Sequence, residues 1–123
     1  MEEVALYDLI NEGWERMTLA QRRLWEAINI PPEKWAYQRL RYSTVDHWVM
    51  AIIGNRIIWY DDDFGGMDKG FYVLEYRRYG EIDSGRTGNG SLEAAVQILL
   101  HEITGLGFGQ PDYSSGSAVN ISG

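Results

Sequence analysis

Two short stretches of this chain hold residue types that can do chemistry: His101-Glu102, and an acidic run at Asp61-Asp62-Asp63 followed by Asp68. His101-Glu102 opens like the H-E-x-x-H zinc pattern, in which two imidazoles one helical turn apart share a metal and the glutamate acts as general base. Here Gly105 stands at the position of the second imidazole, Gln110 stands near that of a third ligand, and the other histidine of the chain is His47. A His-Glu pair on the last turn of a helix, where an imidazole suits the C-terminal dipole, fits these residues better. The alternative it leaves is a small metal-dependent hydrolase using His101 and Glu102. In the acidic run, oxygen ligands for Ca²⁺ or Mg²⁺ would have to alternate with turn residues, and three consecutive Asp do not converge on one ion from an extended strand end. With Glu75, Glu81 and Asp83, these acids read instead as a surface for a basic protein. The expected docking set is Asp61, Asp62, Asp63 and Asp68 with the neighbouring Tyr72 and Tyr76.

No strand-to-helix Gly-x-Ser-x-Gly and no glycine-rich lysine loop is present, and Arg77-Arg78 reads as a solvated pair beside a turn. The chain is therefore expected to be no enzyme and to carry no cofactor or metal. Its 123 residues suit one domain. The net charge of -7 is uneven: residues 1 to 60 hold eight acids and seven Lys/Arg, residues 61 to 123 ten acids and four. That balance disfavours direct binding to nucleic acid, whose phosphates need a basic surface. The absence of cysteine excludes disulfides and thiolate sites. An acidic Met-Glu-Glu start and the lack of a long apolar run give no signal peptide or membrane span, so the expected location is the cytoplasm.

The elements that must position these residues centre on a hairpin. His47 to Ile53 and Arg56 to Tyr60 flank Gly54-Asn55, a pair suited to a tight turn. Counting outward from the turn pairs Ile53 with Arg56, Ile52 with Ile57, Met50 with Trp59 and Val49 with Tyr60. One face then carries Trp48, Met50, Ile52, Ile57 and Trp59, the other Val49, Ala51, Ile53, Ile58 and Tyr60. Neither is polar, so each needs a cover, and a homodimer through one of them is open.

Leu6, Leu9, Ile10, Gly13, Trp14 and Met17 trace an amphipathic helix, and Thr18 with Gln21 forms a capping box for a second one ending near Ile28. Pro31-Pro32 closes that helical segment, and Glu33 to Leu40 reads as one or two further helical turns. Phe71 to Arg77 and Glu81 to Asp83 are read as further strands and Ser84 to Gly90 as a loop. Ser91 caps a helix with the stripe Leu92, Ala95, Val96, Leu99, Leu100 and Ile103, which Gly105 ends. The expected fold is α+β: a three- to four-stranded antiparallel meander packed with N-terminal helices and one C-terminal amphipathic helix. Residues 1–104 form the domain, and 105–123 a Gly/Ser-rich tail.

The phrases Arg23-Leu-Trp-Glu-Ala-Ile28, Pro32-Glu-Lys-Trp35, Trp48 to Tyr60 with its Ile-Gly-Asn-Arg-Ile-Ile-Trp-Tyr core, and Gly70-Phe71 are similar to those of small bacterial immunity proteins of polymorphic-toxin systems. The similarity spans roughly residues 18 to 83, and residues 64 to 69 and the tail depart from it. It implies a stoichiometric inhibitor that binds a cognate toxin domain and blocks its active site. A phage-encoded inhibitor of a bacterial defence nuclease would use the same acidic surface.

Overall fold

The computed structural model describes residues 1–40, 43–62, 69–83 and 86–105, without the side chains of 38–40, 43 and 44. Helices α1 (Glu3–Arg16) and α2 (Leu19–Ile28) precede strands β1 (Asn29–Leu40), β2 (Ser43–Ile53), β3 (Arg56–Asp61), β4 (Gly70–Glu75), β5 (Glu81–Ile82) and β6 (Thr87–Gly90), and α3 (Leu92–Gly105) follows. The class is α+β. The sheet is larger than the expected meander and is mixed: its order is β5-β1-β2-β3-β4-β6, with β5 parallel to β1 and the other neighbours antiparallel. No helix among the described residues is long and apolar enough to cross a membrane.

The helices form where their caps and stripes place them. The Gln21 amide donates to Thr18 Oγ1 at 3.2 Å and the Thr18 amide to Gln21 Oε1 at 2.9 Å, so the capping box breaks α1 from α2. Such a cap contributes about 1 kcal/mol. On α3 the Ala94 amide donates to Ser91 Oγ at 3.2 Å. Leu6, Ile10, Trp25, Leu92, Val96 and Leu99 bury their apolar stripes against Met50, Ala51, Ile58 and Val73 of the sheet. Gly13 belongs to the α1 stripe because a methyl there would meet Leu92 Cβ at 2.8 Å.

Two expectations fail on β1 and β6. Glu33 to Leu40 is strand, not helix, and pairs antiparallel with β2 from Glu33↔Val49 to Leu40↔Ser43. Eight residues are too few for more than a marginal helix, and tertiary pairing overrides that weak preference. Pro31 and Pro32 sit where the ladder is interrupted between Asn29 and Glu33, the place in a strand that tolerates a missing amide donor. Residues 87–90, expected as loop, pair with β4, and close approach requires glycine at position 70, where a Cβ would lie 2.5 Å from Gly90 Cα. The strand at Glu81 extends the sheet beyond β1 and does not continue a meander from β4.

The central hairpin keeps its Gly54-Asn55 turn and its Ile53↔Arg56 and Ile52↔Ile57 pairs, but the register shifts between Ala51 and Val49. Val49 pairs with Trp59, not Tyr60, and Met50 has no opposite residue. This bulge puts Met50 on the same side as Ala51. Trp48, Met50, Ala51, Ile53, Ile58 and Tyr60 therefore face the helices, while Val49, Ile52, Ile57 and Trp59 face the other way.

That second face is filled from within the chain. From Glu75 the backbone crosses to β1, where the Ala36 amide donates to the Gly80 carbonyl at 2.9 Å. Tyr76 and Tyr79 pack on Trp35 with centroids 5.2 and 4.7 Å away. Glu33 Oε1 accepts from Tyr79 Oη at 2.6 Å and from Trp35 Nε1 at 3.1 Å, which holds the Glu33 carboxyl below its usual range and raises the Tyr79 phenol. Six flat strands would span about 24 Å at their usual spacing. The short connection from Ile82 to Thr87 reaches at most about 17 Å between the outermost strands. The sheet is consequently curled, with Trp35, Val49, Ile57, Trp59, Tyr72 and Ile82 inside the curl.

Candidate functional site

At one end of the curl, β2 presents His47 and the end of β3 presents Asp61 and Asp62. Counting out from the turn brings position 47 opposite 61 or 62, depending on the bulge. His47 is 4% exposed, and its Nδ1 lies 3.0 Å from Asp62 Oδ1. The other oxygen of Asp62 accepts from the Met1 amino group at 3.0 Å, and the Met1 carbonyl accepts from Trp48 Nε1 at 2.9 Å. Burial pushes the Asp62 carboxyl up, but the hydrogen bond and charge of the Met1 ammonium, then those of His47, outweigh it and hold the group below its ordinary value. An ionised Asp62 accepts a hydrogen bond from Nδ1–H, which turns Nε2 to the far side of the ring.

Asp61 points inward too. It is 8% exposed and forms an ion pair with Arg86, whose guanidinium lies 4.4 Å above the Tyr72 ring. Tyr72 is buried beside Trp59, with centroids 6.3 Å apart. Nearby Tyr60 has its phenol raised, first by burial and then by the charges of Asp62 and Asp61.

The site has half of an acid–base device. A carboxylate orients an imidazole as in hydrolytic triads, but catalysis also needs a nucleophile or a substrate proton within hydrogen-bond reach of the far nitrogen. His47 Nε2 is instead enclosed by Tyr37 and Trp59, with ring centroids at 5.6 and 5.2 Å, and has no hydrogen-bond partner among the described residues. This geometry fixes a ring in a packed core.

Of the expected docking residues, Asp61, Asp62 and Tyr72 thus share one end of the sheet, all wholly or partly buried. Tyr76 is at the other end, where its hydroxyl donates to the Gly54 carbonyl at 3.0 Å. Asp63 and Asp68 lie outside the described residues, as does the tail after Gly105. His47 and Arg86 join the network without having been singled out in the sequence. Hairpin counting carries a signal for His47, whereas Arg86 arrives through long-range closure of the sheet.

His101 and Glu102 border a separate groove of about 500 Å³ with Ile53, Asn55, Arg56 and Ile103. Glu102 is held by Arg56 at 3.0 Å. Among the described residues no three His, Cys, Asp or Glu side chains are grouped to hold a metal. Comparison with protein-family models, curated proteins and solved structures gave no match.

The pairing of charge differs from its distribution along the chain. Arg16 reaches Glu93 at 2.9 Å, Arg56 reaches Glu102, Arg86 reaches Asp61, and Arg77 and Arg78 lie 3.7 and 3.8 Å from Asp83 and Glu81. Arg22 donates to the Trp14 and Glu15 carbonyls and stacks on Trp14. Of the second half's acids among the described residues, all but Glu75 have a cationic or imidazole partner. Glu2, Glu3, Asp8, Glu12, Glu15 and Glu26 are exposed and make no ion pair with any described residue.

Proposed function

We propose that this chain is a non-enzymatic inhibitor that binds a basic cognate protein stoichiometrically, as a bacterial immunity protein binds its toxin domain in the cytoplasm. The observation that carries this reading is the set of exposed, uncompensated acids on the two N-terminal helices. A negative surface of this kind steers a basic partner and suppresses acidic competitors, while buried contacts beneath it supply most of the affinity. The fold presents that surface on a packed base, because Leu6 and Ile10 of α1 and Trp25 and Ile28 of α2 are buried in one core with α3 and the sheet. No cofactor enters the reading.

Native mass spectrometry of the untagged protein from its own host is the test. A complex with one basic protein per chain is expected, and the identity of that protein distinguishes a toxin domain from a defence nuclease. The protein appearing alone, or with a bound metal and no partner, would contradict the proposal.

A further inference from the structure

We infer that the outer face of α1, together with the groove beside it, is the docking surface, and that it takes a lysine- or arginine-rich segment carrying one apolar anchor side chain. This rests on the inhibitor reading above and adds the place and the chemistry of recognition. Leu6, Ile10 and Gly13 mark the buried side of α1. Helical geometry places Val4, Asp8, Asn11 and Glu15, spaced four, three and four residues apart, on the opposite side, with Glu12 next to them.

All five are exposed. Val4 is 73% exposed and Tyr7, at the edge of the same face, 44%, which is unusual beside so many acids. Tyr7 and Asn11 also form one wall of a groove of about 350 Å³, whose other wall is Trp25, Ile30, Pro31 and Pro32. The prolines interrupt the β1 ladder there, so this stretch of strand offers ring surface and carbonyls without a full set of amide donors.

Charge selects the occupant. Asp8, Glu12 and Glu15 have no compensating cation among the described residues, because Arg16 is drawn to Glu93 and Arg22 to the carbonyls that end α1. A second copy of this chain would bring the same acids against them, and like charges across an interface oppose docking. A basic segment meets them favourably, and an apolar side chain placed in the groove supplies the desolvated centre that an interface needs.

The test is a titration of the ¹⁵N-labelled full chain with a lysine-rich peptide bearing a single central phenylalanine, followed by amide chemical shifts. Shifts are expected along residues 4–15 and at Asn29, Ile30 and Glu33, which flank the amide-less Pro31-Pro32. The triple variant D8K/E12K/E15K should weaken binding by about tenfold or more, because each exposed attraction becomes a repulsion. The neutral triple D8N/E12Q/E15Q should give a smaller loss with the fold undisturbed. Reversing three acids elsewhere, D46K/E81K/D83K, changes net charge equally and should cost much less. Serine in place of the peptide phenylalanine should weaken binding independently of salt. Equal losses in the two lysine triples, shifts centred on another face, or no binding would overturn the assignment. Failure of the inhibitor reading shows separately, as the lack of a cognate partner in the native spectrum.

Discussion

Replacing Trp59 by alanine is expected to destabilise the fold by about 3–5 kcal/mol, the usual cost of truncating a large buried aromatic. Domains of this kind have total stabilities of roughly 5–15 kcal/mol, so much of the margin is lost. Trp59 is 1% exposed at the centre of the curled face, in contact with the rings of Tyr37, His47 and Tyr72. Trp59→Phe should cost far less than alanine. Its smaller ring loses some packing, but it also removes an indole N–H that is buried without an acceptor among the described residues. A buried unsatisfied donor costs about 1–3 kcal/mol, which offsets part of the loss. Urea midpoints of the two variants check this. If phenylalanine proves as costly as alanine, the indole nitrogen has a partner, and the face is built differently from the one described.

Asp62→Asn should lower stability at neutral pH by about 1–3 kcal/mol and flatten its dependence on acid. The carboxylate joins β3 to His47 and to the Met1 amino group, and loss of its charge weakens both contacts. Because its folded value lies below the ordinary one, the unfolded chain takes up the proton first as the pH falls. The contribution is complete above the unfolded value of about 3.9 and disappears as the pH drops through the lower folded value. Wild type should therefore converge on Asp62→Asn in strong acid and exceed it at neutral pH. A constant difference between them down to strong acid would remove the carboxylate from this role.

Much of the local structure was legible because its signals are local. Thr18 and Gln21 announce their own hydrogen bonds, Gly54-Asn55 its turn, and the stripe from Leu92 to Leu99 its buried side. What failed depends on distant residues. The bulge at Met50 leaves no mark in a pattern apolar at every position, yet it exchanges the faces of Val49 and Met50 relative to the turn. β1 is a strand because β2 lies beside it, and Gly88-Asn89-Gly90 is a strand because Gly70 admits it closely.

Charge taught the same lesson. Counting by halves puts the acidic excess after residue 60, but Arg16 and Arg56 cross from the first half to Glu93 and Glu102. Among the described residues, six of the acids without an ion partner lie at α1 and α2, and the other three, Glu33, Asp46 and Glu75, on the sheet. The acidic residues most visible in the sequence, Asp61 and Asp62, are taken up by Arg86 and by the buried His47.

The most direct measurement of the central claim is a titration of the co-purifying partner's activity against increasing amounts of this protein. Binding-based inhibition predicts a linear fall that ends at one equivalent and is reversed when the complex is separated. Inactivation at far below one equivalent, or a partner that stays inactive after separation, would show turnover and contradict a non-enzymatic inhibitor.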